Sequence, residues 1–278
     1  MGALGTVSLL IRYPVKSMLG EELATTELTS TGLAGDRSHA LIHEVTGRVV
    51  SAKNPRLWRA MLTMTATSCE DVITIVFPDG SAIRSTDSTV DKVLSDFLGQ
   101  QVTLTATPPE NAQMEHSDPD EVIRHGVAAV VKTEARPLGA GTFFNFAPVH
   151  LLTTSTLARI EALAGTEALV ATGAQQRYRP NVVIRTDAEG FTENDWLGRD
   201  LRIGGAVVRV IARTPRCAVP TLAHGPGIPR DPAALRVVAD RNRVPAFDGG
   251  HAEPCAGVYA EVLRPGRVSH GDVVHLEA

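Results

Sequence analysis

The segment Thr214-Pro215-Arg216-Cys217-Ala218-Val219-Pro220-Thr221 carries the side chains best suited to chemistry in this chain. Alternating apolar residues (Val207, Val208, Val210, Ile211) lead into it and read as a strand. A turn bracketed by Pro215 and Pro220 then presents an arginine beside a cysteine. A fixed guanidinium next to a thiol favours the thiolate. A thiolate is a nucleophile or a ligand for a soft metal. A free cysteine also packs as a small hydrophobe, so residue type alone does not select among these uses.

Other turns share one trait. Lys16-Ser17, Asp36-Arg37 and Arg177-Tyr178-Arg179, like Arg216-Cys217, place a cation at the boundary of a predicted strand. Lys53 and Arg56 form a possible fifth. Cations at strand ends can converge on one rim of a barrel, where they suit a small anionic ligand. Thr153 to Thr156 add hydroxyls and a helix N-terminus, which also favours an anion. Residue types and spacing therefore describe an anion site with a thiol. Asp36 is placed to orient Arg37 or Lys16. His224, close to Cys217 in sequence, is a candidate proton donor.

Several polar residues have plainer readings. His39 and His43 lie four apart on a predicted strand, which does not make a helical metal pair. His150, in an apolar strand, reads as a satisfied core or rim histidine. Cys255 reads as a passive thiol, although His251 to Cys255 is expected near the active rim. Asn242 and Arg243 follow a helix and could reach the site. Trp58 and Trp196 read as packing residues.

The totals exclude some classes. A chain of 278 residues holds one large or two smaller domains. A net charge of −4 gives no electrostatic reason to expect nucleic acid. No apolar run approaches the roughly 20 residues of a membrane span. Met1 to Val15 shows no secretory signal pattern. Three widely spaced cysteines argue against a disulfide framework and for a reducing cytoplasm, with a Cys217–Cys255 pair left open.

Strands are expected near residues 6–13, 22–29, 39–45, 48–51, 61–67, 72–77, 81–85 and 102–105. Ser88 to Asp91 resembles a capping box opening a helix that stops at Gly99. Residues 107–139 show little periodicity and read as a linker or mobile loop. Beyond them come a strand at 149–152, a helix from Thr153, and strands at 182–186, 199–203 and 206–212. Residues 164–176 fit no single pattern. Asp231-Pro232 opens a helix to about Asn242, and strands at 257–263 and 272–276 follow. Many short strands and few helices, without regular alternation, predict a mainly β fold, barrel-like, of the α+β class. No Gly-x-Gly-x-x-Gly follows a strand, which argues against a Rossmann layout.

Six motifs fall in one order. They are Tyr13-Pro14-Val15-Lys16-Ser17, Gly35-Asp36-Arg37, Arg179-Pro180-Asn181-Val182-Val183-Ile184, Trp196, the Gly-Arg-Asp-Leu-Arg-Ile-Gly run after it, and Arg216-Cys217. The order resembles that of MOSC-domain proteins, relatives of the C-terminal domain of molybdenum cofactor sulfurase. Among these the chain is similar to the mitochondrial amidoxime-reducing components and their bacterial counterparts. The resemblance implies an N-terminal MOSC β-barrel region over 1–106 and a MOSC domain over 140–278. It implies a molybdenum cofactor (Mo-molybdopterin) with Cys217 as protein ligand to the metal and Arg216 beside it. Lys16, Ser17, Arg37 and Arg179 would hold the pterin phosphate and ring. Thr153 or Thr154 would supply a hydroxyl, and Tyr259 a further contact.

The implied activity is reduction of an N-hydroxylated or N-oxide compound by oxygen-atom abstraction. Electrons would come from a separate protein of flavin reductase or ferredoxin type, because the four-cysteine pattern of an iron–sulfur cluster is missing. The alternatives are a cofactor or sulfur carrier with Cys217 as ligand or persulfide site, and a specialised-metabolism enzyme on the same fold. The chain departs from its relatives after the cysteine. Val219 to Gly227 replaces their Thr-Thr-Val-Asp-Pro-Asp-Thr-Gly, and Pro215 replaces a serine.

Overall fold

The computed structural model describes residues 2–165, 174–225 and 227–277. Most of the stretch 164–176 lies outside the described residues. Seven strands close into a barrel: Ala3–Arg12, Val149–Thr153, Val182–Arg185, Asp200–Ile203, Ala206–Pro215, Ala252–Arg264 and Val273–Leu276. The ring is closed where Leu151 pairs with Val258. The N-terminal strand sits between Val182–Arg185 and Val273–Leu276. The first residues of the chain thus complete a barrel otherwise built from its second half.

Period-two patterning fixes which side chains enter that barrel. Along Ala206–Pro215, buried and less buried positions alternate strictly. Val208 and Val210 point inward and meet Val7, Leu10, Leu151 and Val258. Helices Thr154–Ala164 and Ala233–Arg241 cover the outside, laying Leu157, Ile160, Ala234 and Val238 on Leu152, Val183 and Ala256. Thr153 caps the first by accepting from the Thr156 N–H at 3.1 Å. Asp231 accepts from the Ala233 N–H at 2.8 Å at the start of the second.

A second apolar cluster holds the N-terminal region, with Leu41, Trp58, Met61, Met64, Ile75 and Leu94 buried together. Helix Val90–Leu98 stops at Gly99, where φ is 66°. Its expected capping box does not form. Asp91 is diverted to accept from the Leu104 N–H at 2.8 Å, and Thr89 makes no side-chain cap. The strand expected from 61 starts at Thr65, because Arg59–Thr63 takes a 3-10 turn that buries Met61 and Leu62.

Residues 107–139, expected as a linker or mobile loop with little periodicity, contain regular elements. They carry strand Gln113–Ser117, helix Pro119–His125 and strand Thr133–Pro137. Met114 pairs with Val49, and the Ser117 N–H donates to the Lys53 carbonyl at 2.9 Å. Met114, His116, Ser117 and Val122 are buried in this otherwise polar segment. Asp118 caps the helix with Pro119 in its first turn. No described helix is long and apolar enough to cross a membrane.

One glycine holds the barrel against the site. At Gly257, φ is +79° and a Cβ would lie 2.4 Å from His150 Nε2 and 2.6 Å from the Leu151 carbonyl oxygen. Gly257→Ala is expected to cost about 1–3 kcal/mol from backbone conformation alone, and more from the clash. The check is urea denaturation, in which the midpoint should fall while the slope stays unchanged.

Candidate functional site

Loops at one end of the barrel enclose a cavity lined by Lys16, Ser17, Arg37, Lys53, Arg177, Arg179, Arg216, Cys217 and Tyr259. Six of these side chains are cationic, and no Asp or Glu is among the lining residues. The strand-end turns identified from sequence therefore converge. Among the described residues, three of the five non-glycine residues with positive φ belong to this lining: Ser17 at 68°, Arg37 at 48° and Arg179 at 55°. Backbone strain is thus concentrated where the cations are displayed.

Each cation is held differently. Lys16 is buried, and its Nζ donates to the Phe143 carbonyl at 2.7 Å and to Asn145 Oδ1 at 2.6 Å. Burial, and then Lys53, Arg37 and Arg179, push its pKa well below the ordinary lysine value. Arg37 pairs with buried Asp36, whose other oxygen accepts from the Tyr13 N–H at 2.7 Å. The Tyr13 ring lies under both guanidinium groups, 5.2 Å from that of Arg37 and 4.3 Å from that of Arg179. Arg179 Nη1 and Nη2 are buried without a hydrogen-bond partner among the described residues. Burial lowers the Arg179 pKa to about 10, and Arg37 adds to the effect. Ser17 Oγ accepts from the Ala52 N–H at 3.1 Å, tying two lining loops together.

Arg216 is occupied by the protein. Its guanidinium donates to the carbonyls of Ala256 and Tyr178 and to His150 Nε2. His150 Nδ1 lies 3.2 Å from the Arg179 carbonyl oxygen. The ring therefore accepts at Nε2 and donates at Nδ1, which requires the neutral form. Burial and the Arg216 charge lower its pKa well below the ordinary value. Arg216 is thus a positioning residue that fixes the strand end bearing Cys217. The Cys217 thiol is half-buried and faces the cavity. All three cysteines are free. Cys255 is buried, its pKa raised to about 11 by burial.

Other expected residues lie elsewhere. Thr153 is fully buried and donates to Glu193 Oε2 at 2.7 Å, while Thr154 Oγ1 accepts from the Thr186 N–H at 3.3 Å. Neither lines the cavity. Thr153 is three residues along its strand from His150, roughly 10 Å at about 3.3 Å per residue. Thr153, Thr156 and the Gly257 N–H instead satisfy the buried Glu193 carboxylate. Asn242 is consumed by the Cys255 carbonyl at 2.6 Å. His224 is also buried outside the lining, with Nδ1 2.9 Å from the Leu222 carbonyl oxygen. Burial lowers its pKa to about 3, helped by Arg179, so it is no proton donor near neutrality. Arg177 sets this arrangement. Its buried guanidinium donates to the carbonyls of Pro220, Leu222 and Pro229 and folds the divergent loop onto the barrel.

Sequence reading missed Asn145, Tyr13 and His150 as parts of the site. A polar residue inside Phe143-Phe144-Asn145-Phe146 was the available signal for the first.

A depressed histidine pKa destabilises the fold on acidification. Between about 3 and the ordinary 6.5, the unfolded chain binds a proton at residue 224 that the folded chain does not. Stability therefore falls as pH drops through that window. His224→Gln is expected to lose less stability between pH 6.5 and 4 than the parent chain. Denaturation midpoints across that range check it, and parallel profiles would contradict it.

Two family models match the chain. The MOSC N-terminal β-barrel domain matches residues 4–115 and the MOSC domain residues 139–275. Among curated proteins none matches. Among solved structures, the chain is similar to the YuaD protein of Bacillus subtilis at 10% identity and a TM-score of 0.45, covering 97% of this chain and 93% of that one. YiiM of Geobacillus stearothermophilus gives 19% identity and a TM-score of 0.32, covering 48% of this chain and 55% of that one. YiiM of Escherichia coli gives 15% and 0.33, with 48% and 55% covered. The assignment rests on the two family matches: the chain belongs to the MOSC-domain family, relatives of the C-terminal domain of molybdenum cofactor sulfurase.

Proposed function

We propose that the cavity holds a molybdopterin-type cofactor, and that the protein uses it to reduce N-hydroxylated or N-oxide compounds. MOSC proteins often bind the molybdenum cofactor. One observation of this chain carries the reading. A cation-lined cavity without a carboxylate in its lining, with two Arg179 nitrogens lacking a hydrogen-bond partner among the described residues, ends at a free thiol. That donor set suits a ligand with a phosphate at one end and a soft metal at the other.

Lys16, Ser17, Arg37 and Arg179 would hold the phosphate and ring, and Cys217 would ligate the metal. When bound, the cofactor supplies two-electron oxygen-atom chemistry. The overall change converts R–NH–OH, two electrons and two protons into R–NH2 and water. A separate reductase of flavin or ferredoxin type supplies the electrons. The chain's own residues orient and enclose. Asp36 turns the Arg37 guanidinium toward the cavity, Asn145 fixes Lys16, and Arg216 locks the strand end before Cys217.

A direct metal ligand should matter more than outer-shell partners, whose loss typically costs 10–100-fold. Cys217→Ala is therefore expected to lower benzamidoxime reduction by cofactor-loaded protein more than about 100-fold, with a chemical reductant as electron source. Full activity in that variant would overturn the reading.

A further inference from the structure

A second cavity of about 390 Å³ also borders Cys217. It shares Lys53, Asn145, Pro215, Arg216, Cys217 and Tyr259 with the cation-lined cavity. Its volume falls in the range of small-molecule sites. The segment 107–139 supplies one wall through Met114, Pro119 and Pro137.

Aromatic rings form the other wall. Phe146 packs against Phe247 at 5.4 Å between centroids and against Tyr259 at 5.6 Å. Phe146 is 48% exposed and Phe247 47% exposed, so two large rings stand in solvent at this mouth. Rings placed so have faces and edges left for a further aromatic group.

The charge on the lining is lopsided. Lys53, Arg136, Arg213 and Arg216 face Glu253 as the one carboxylate among the lining residues. His116 is neutral, its pKa lowered to about 3 by burial and by Lys53. Arg213 and Arg216 are bonded to neutral acceptors, the Asn194, Pro245 and Ala256 carbonyls among them. Arg136 shares Glu134 at 3.6 Å. Lys53 Nζ makes no hydrogen bond among the described residues.

We propose that this second cavity binds a planar aromatic molecule bearing a carboxylate. The ring lies against Phe146, Phe247 and Tyr259, and the carboxylate reaches Lys53 and Arg136. Its role as the substrate side of the site rests on the cofactor reading above, but the binding does not. A reducible group on such a molecule would lie toward Cys217, which borders both cavities.

The test is calorimetric titration of the purified full chain with 2-naphthoate, 2-naphthamide and cyclohexanecarboxylate, with its molybdenum content measured alongside. Naphthoate is expected to bind about tenfold more tightly than either comparison ligand, since each lacks the charge or the ring. Phe247→Ala should weaken naphthoate and naphthamide alike by about tenfold. Arg136→Gln should weaken naphthoate alone. Both positions are exposed, and unchanged melting temperatures would show that the variants fold. Equal affinity for naphthoate and naphthamide, no binding, or indifference to Phe247→Ala would overturn the proposal. Binding to a chain free of molybdenum would uphold it while removing the cofactor reading. Molybdenum without naphthoate binding would do the reverse.

Discussion

Like charges brought together out of water repel, and this molecule brings several together at one end of its barrel. Lys16, Arg37 and Arg179 line one cavity, and Asp36 is the carboxylate paired at its edge. The cost is visible in the charges themselves. Burial and mutual repulsion lower the pKa of Lys16 and of Arg179, and two Arg179 nitrogens have no hydrogen-bond partner among the described residues. Such an arrangement is unfavourable by itself and becomes favourable when an anion enters.

The rest of the structure bears that cost. A closed barrel gives the loops a rigid rim, because every strand in the ring is paired on both sides. Two arginines, Arg177 buried and Arg216 partly so, then act as internal clamps. Arg216 gathers carbonyls from the neighbouring strand and loop, and Arg177 gathers carbonyls of the 219–230 segment. The Tyr13 ring attracts both Arg37 and Arg179. The strained backbone at Ser17, Arg37 and Arg179 persists because these contacts over-determine it.

Much of the fold was legible because local signals agreed with the global arrangement. Gly99 marked a helix end and Asp231-Pro232 a helix start, and both elements are present. Asp118-Pro119 is the same start signal, but it stands in a polar segment with few buried apolar residues, Met114 and Val122. Cations at strand ends were legible in the site, since strand ends meet at a barrel rim. Thr153 was misplaced because its partner, Glu193, comes from forty residues away. His224 was misplaced because nearness in sequence to Cys217 says nothing of the Arg177 clamp that buries its loop. Positive φ at Arg37 and Arg179 has no signature in residue type.

An uncompensated cation cluster beside a free thiol makes sense if a phosphate-bearing metal cofactor completes it. Elemental analysis of the full chain, purified from cells that make the molybdenum cofactor, tests this most directly. The expected result is about one molybdenum per chain, lost when Cys217 or Arg179 is replaced, since binding energy and site assembly are linked. A chain that emerges from such cells free of molybdenum, with a persulfide on Cys217, would contradict the account and identify a sulfur carrier.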